Sequence, residues 1–145
     1  MEWMLLPLKR YADFNGRSRR KEYWMYTLLS VIIYAICFAI MLGGMPWSQM
    51  MAAESGQQVN EPPGVMFWFG LALLVVWALG SFIPGLAVSV RRFHDQDKSG
   101  WMYLLSFIPY VGGIILLVFM CLEGTRGRNQ YGDDPKGEST ADIFD

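Results

Sequence analysis

Charge is missing from three long stretches of this 145-residue chain: Tyr23–Met45, Val65–Val90 and Trp101–Leu122 hold no Asp, Glu, Lys or Arg. Ionisable groups inside such runs are the usual mark of proton relays, voltage sensors and charged-substrate sites, so those functions are disfavoured. Histidine is nearly absent: His94 is the single one, which leaves no His pair and no His-based dyad. The two cysteines, Cys37 and Cys121, lie inside apolar runs and join no Cys-x-x-Cys or Cys/His cluster. A zinc site or disulfide framework is therefore unsupported, and both thiols read as small apolar side chains. G-x-S-x-G, the P-loop and H-E-x-x-H are all missing, so no nucleophile and base set argues for an enzyme, and no metal or cofactor is implied. A net charge of −1 gives no global basic field for nucleic acid. The first apolar stretch, Trp3 to Leu8, is too short for the core of a cleavable signal peptide, so the first long run is expected to serve as an uncleaved insertion signal.

What is present is apolar sequence in blocks. Hydrophobic residues make up 53% of the chain. That share is close to a soluble domain's, but a soluble domain disperses it. Runs of this length match a hydrocarbon core of roughly 30 Å, so the fold class expected is an all-α integral membrane protein with three hydrophobic helical segments. Segments 1–22, 23–122 and 123–145 read as a basic amphipathic N-terminal stretch, a helical membrane domain and a polar Gly-rich tail. Tyr23, Trp24 and Tyr26 form an aromatic belt at the start of the first span, and Gly43, Gly44 and Pro46 end it. Pro7 is expected to interrupt any helix through the N-terminal stretch, and Pro84 to kink the second span. The loop 46–64 carries Glu54 and Glu61 and suggests a short helical turn at Met50–Ala53. The third run is punctuated by Pro109 and Gly112-Gly113. It reads either as one kinked crossing or as two short helices meeting at a re-entrant hairpin. Length favours the crossing, the preferred reading; the Pro/Gly cluster favours the hairpin.

The cations are unevenly placed. The N-terminal stretch has six (Lys9, Arg10, Arg17, Arg19, Arg20, Lys21), the loop 46–64 none, and the polar island Arg91–Trp101 three (Arg91, Arg92, Lys98). By the positive-inside rule the N-terminus and the island are expected in the cytoplasm. The tail has three more, Arg126, Arg128 and Lys136, against a larger set of acids that includes Asp142 and Asp145. Its side follows from whether the third run crosses or returns.

Three sets of residues are candidates for function. Arg17, Arg19, Arg20, Arg91 and Arg92 suit lipid phosphates or topogenic anchoring, because the guanidinium is a planar fork of donors. Ser81, Gly85 and Ser89 recur every four residues, which places small side chains on one helix face where a second helix can approach. His94, Asp95 and Asp97 allow a metal or acid–base role. The simpler reading is an ion-paired loop, with Arg91 and Asp95 spaced i, i+4 for a pair if the helix runs on.

In order, Phe14-x-Gly16-Arg17-x-Arg19-Arg20-x-Glu22-Tyr23-Trp24, Arg91-Arg92-x-His94-Asp95, Ser99-Gly100-Trp101, Ile108-Pro109 and Gly124-Thr125-x-Gly127-x-Asn129-x-Tyr131-Gly132-x-Asp134-Pro135 resemble the bacterial inner-membrane family called domain of unknown function 805. The resemblance covers nearly the whole chain except 46–64. It implies a multi-pass protein of the bacterial cytoplasmic membrane and supplies no activity or catalytic residue. Two functions are thereby expected to compete. One is a non-enzymatic helical module that binds membrane lipids, a second copy or another membrane protein. The other is a subunit of an oligomeric small transporter or channel, suggested by the broken helices.

Overall fold

The computed structural model of the chain describes residues 2–54, 56 and 62–137, with 49, 50 and 53 described by their backbone alone. Glu61, Asp142 and Asp145, read above as parts of the acidic loop and tail, lie outside the described residues. Among the described residues every regular element is helical. They are α1 (Glu2–Lys9), α2 (Arg20–Gly43), α3 (Trp47–Glu54), α4 (Val65–Asp95), a 3-10 helix (Gly100–Phe107) and α5 (Gly112–Cys121). A lone antiparallel bridge joins Asn129 and Gly132 in the tail.

Two helices, α2 and α4, are long and apolar enough to cross a membrane. Their exposure pattern inverts that of a soluble protein. Val31, Val76, Leu79 and Phe82 face outward, while Arg17, Glu22, Arg91, Arg92 and Asp95 are buried. Large exposed apolar surface together with buried ions is the arrangement expected where hydrocarbon is the solvent. Pro7 lies within α1, where it costs one backbone bond, and the helix stops at Lys9 instead. α4 continues through Pro84 for 31 residues and takes in Arg91–Asp95, the first half of the polar island. The expected turn near Met50–Ala53 falls within α3.

The chain forms two compact units. The first contains Met1–Leu29 and Ser81–Asp145, the second Ser30–Gly80. Within the second, α2 and α4 touch through glycine: a Cβ on Gly70 would lie 2.7 Å from Cγ of Met41. Within the first, Ser81 and Gly85 meet a helix, the chain's own α2, while the Ser89 hydroxyl donates to the Gly85 carbonyl of its own helix at 2.7 Å. The Tyr26 hydroxyl donates to the Ser81 carbonyl at 2.9 Å, and its ring lies 3.7 Å from where a Gly85 Cβ would stand.

The third apolar run corrects the preferred crossing. It is split into a 3-10 helix of 8 residues and an α-helix of 10. At about 2.0 and 1.5 Å per residue, each arm spans only about half of a 30 Å hydrocarbon core. The arms pack on one another so closely that a Cβ on Gly112 would lie 2.5 Å from the Leu105 carbonyl oxygen. Both outer ends return to the C-terminal turn of α4. Gly100 abuts Val90 and His94, Phe119 packs on Phe93 at 5.7 Å, and the Leu122 carbonyl accepts from Arg92. Punctuation outweighs length here: Pro109 removes a helix donor and Tyr110 takes a left-handed φ of 67°.

Candidate functional site

Three segments distant in sequence converge at the end of α4: the approach to α2 (Gly16–Glu22), the last turn of α4 (Arg91–Gln96) and the tail (Leu122–Lys136). Each carries ions that the sequence places beside an apolar run, so each must be paired where it is buried.

Arg91 and Arg92 are both 0% exposed. Arg91 does not pair with Asp95 as its i, i+4 spacing suggested. Its NH2 donates to Glu22 Oε1 at 3.0 Å, and Ser18 Oγ donates to Glu22 Oε2 at 2.7 Å. The backbone closes the same contact, with Ser18 N donating to the Arg91 carbonyl at 3.2 Å. Asp95 is taken by two other guanidinium groups. Arg17 Nε donates to Oδ1 at 3.0 Å, and Arg92 NH1 donates to Oδ2. Spacing along one helix lost to a neighbouring element that brought its own charge.

Arg17 goes further than one pair. Its NH1 donates to the Gly127 carbonyl at 2.5 Å and its NH2 to the Thr125 carbonyl. One planar side chain thus ties the N-terminal stretch to α4 and to the tail. The tail in turn closes α4. Thr125 N donates to the Asp95 carbonyl at 2.8 Å and Asn129 Nδ2 to the His94 carbonyl at 2.9 Å. These acceptors are among the carbonyls a helix end leaves unpaired. Gly124 has no room for a side chain, since a Cβ there would lie 2.0 Å from Asp95 Oδ2.

The three polar-island candidates have separate tasks. His94 stacks on Tyr131 with ring centroids 3.9 Å apart and planes 4° from parallel. Asp95 holds the ion pairs just described. Asp97 is exposed and takes the left-handed turn, φ 56°, that ends α4. The five arginines also divide. Arg17, Arg91 and Arg92 point inward to protein partners and cannot reach a lipid headgroup, which corrects that part of the expectation. Arg19 and Arg20 instead line an open cleft of about 350 Å³ with Lys21, Arg126 and Lys136. Arg19 and Lys21 lie over the Trp3 ring at 5.6 and 5.8 Å.

Two half-buried carboxylates, Asp134 and Asp13, brace this head. Asp134 accepts from the backbone of Lys136 at 2.9 Å and of Gly127 at 3.1 Å, and these bonds hold its carboxyl below the usual carboxylate range. Asp13 is held low by the Arg10 guanidinium, first through a hydrogen bond. Sequence reasoning missed Glu22 as the partner of Arg91, and missed Arg126 and Lys136 as cleft residues. A usable signal existed for the first, since a buried arginine at the end of a span requires a carboxylate from a neighbouring element.

The model of the family described as "Protein of unknown function (DUF805)" matches residues 11–133. Inner membrane protein YhaI of Escherichia coli strain K12 is 42% identical over 136 residues, covering 94% of this chain and 97% of YhaI. Inner membrane protein YhaH of the same strain is 39% identical over 138 residues, covering 95% and 99%. No solved structure matches the chain.

Proposed function

The chain belongs to the DUF805 family, and on that premise we propose that it is a non-enzymatic helical module of the inner membrane whose basic head engages anionic lipid headgroups from the cytoplasmic side. One observation carries this reading. All twelve Lys and Arg residues lie in the unit formed by Met1–Leu29 and Ser81–Asp145, and the unit Ser30–Gly80 has none. Under the positive-inside rule such asymmetry supports a cytoplasmic position for the charged unit. There the inner leaflet is anionic, and each cation near its surface contributes about 1 kcal/mol of attraction.

The N-terminal stretch suits this role in its aromatic residues as well as its charge. Tyr11, Phe14 and Trp24 are exposed beside Lys9 and Lys21. Rings of this kind settle at the headgroup level while cations meet phosphate. The returning hairpin extends the same face, because its exposed Phe107, Ile108 and Ile114 can enter one leaflet without crossing.

The test is reconstitution of the whole protein in nanodiscs of zwitterionic lipid with a graded fraction of phosphatidylglycerol. Native mass spectrometry should show phosphatidylglycerol retained over the zwitterionic lipid, with the preference weakened by salt. Equal retention of both lipids would overturn the reading.

A further inference from the structure

The cleft between the start of α2 and the tail is more specific than a basic surface. It is lined by five cationic side chains, Arg19, Arg20, Lys21, Arg126 and Lys136, and by two carboxylates. Both carboxylates are already engaged. Asp95 is held by Arg17 and Arg92, and Asp134 by the backbone donors of Gly127 and Lys136. Arg20 has a partner, Glu123, but that pair is exposed and therefore weak. Among the described residues, Lys21, Arg126 and Lys136 have no carboxylate within ion-pair distance. Five cations therefore line the hollow against two carboxylates, one of which, Asp95, is already paired with Arg17 and Arg92, so positive charge is in excess there.

That convergence is built. Arg19 donates to the Pro135 carbonyl, which joins the N-terminal stretch to the turn at Asp134–Lys136. Thr125 is anchored on α4 through its amide and hydroxyl, at 2.8 and 3.2 Å from the Asp95 carbonyl. Its neighbour Arg126 is carried to the cleft by this anchor. Like charges brought together by a fixed backbone repel one another unless an anion fills the space between them. An anion with several oxygens that can accept from forked guanidinium and ammonium donors at once is a phosphate group.

We propose that this cleft binds one phosphate group, either on a lipid headgroup or on a soluble phosphate. The proposal rests on the reading of a basic, membrane-facing head, but it makes a narrower claim: binding depends on the tail cations Arg126 and Lys136, which are far from the N-terminal stretch in sequence.

The double variant Arg126→Ala, Lys136→Ala tests this against Arg128→Ala. All three side chains are exposed, and Arg128 lies on the same tail outside the cleft, so neither variant disturbs the buried ion pairs. Full-length protein in a neutral detergent would be titrated with inorganic phosphate and with short-chain phosphatidylglycerol, following thermal midpoint and microscale thermophoresis. The double variant is expected to weaken binding about tenfold or more, and Arg128→Ala less than twofold. Lipid bound and inorganic phosphate ignored supports a headgroup site. Phosphate bound and lipid ignored supports a soluble ligand and fails the lipid reading while sparing the cleft. Lipid binding left intact by the double variant overturns the cleft while sparing the lipid reading. Binding of neither probe overturns it as well.

Discussion

Glu22 and Asp95 are the two acids on which the head depends, and they are the residues at which its stability is most exposed to mutation. Removing one partner of a buried ion pair costs about 3–5 kcal/mol, because the remaining charge has no solvent. Glu22→Ala should therefore lower stability by about that amount, since Arg91 is 0% exposed. Glu22→Ala combined with Arg91→Met should recover most of the loss. Denaturation in detergent across the four proteins of this cycle gives the coupling, and additive losses would show that the pair does not act as one. Acid should act at different carboxylates. Asp134 and Asp13 have folded pKa values below their unfolded ones. Their contribution is complete above about pH 4 and is lost as pH falls through the lower folded values. Thermal midpoints should decline as pH falls below about 4, and Asp134→Asn should flatten part of that decline. An unchanged slope would remove Asp134 from the account. Little of this pairing was legible in the sequence. The rule available was local, i to i+4, and it paired Arg91 with Asp95. The real partner of Arg91 lies 69 positions away, and only the packing of α2 beside α4 brings it near.

At the scale of elements, sequence patterning succeeded where the signal was composition and failed where it was continuity. α2 and α4 were legible because an uncharged run admits few alternatives in hydrocarbon. The extension of α4 through Arg91–Asp95 was not, because charged residues after an apolar run look like a loop until their partners are known. The third run set length against punctuation. Its tip succeeds as a turn because its backbone is satisfied locally: Ile108 N donates to Leu105 O, Val111 N to Pro109 O and Gly112 N to Ile108 O. The broken run that suggested a transporter subunit thus forms a hairpin closed on itself. Gly112→Ala should open it, since the added methyl meets a backbone oxygen at 2.5 Å, whereas Gly113→Ala meets nothing within 4 Å. A clear fall in thermal midpoint is expected for the first. The second should be neutral or stabilising by up to about 1 kcal/mol, as alanine favours helix. Equal effects would disprove the close approach.

At the scale of the whole molecule, the hairpin determines where the tail lies. Because the tail bonds to Arg17 and to the end of α4, the N-terminal stretch and the tail are expected in one compartment. Reporters fused to each end should agree: a fluorescent protein at either terminus should fluoresce, and alkaline phosphatase at either should be inactive. Opposite results at the two ends would restore a crossing by the third run. The oil-like exterior and the charge asymmetry of this arrangement were legible from the sequence. The head was not, since it exists only when three separated motifs meet.

The position of Arg17 near one end of the chain and of its acceptors near the other has a consequence for biogenesis. During synthesis Arg17 emerges first, yet Thr125 and Gly127 are made more than a hundred residues later. Until then the guanidinium has no tail to grip, and Arg92 lacks the Leu122 carbonyl. The head is therefore a late step, available only once the ribosome has passed Gly127. A chain cut short after α5 would keep the ion pairs of Arg17, Arg91 and Arg92 but lack the carbonyls of Leu122, Thr125 and Gly127 that cap two of these guanidinium groups.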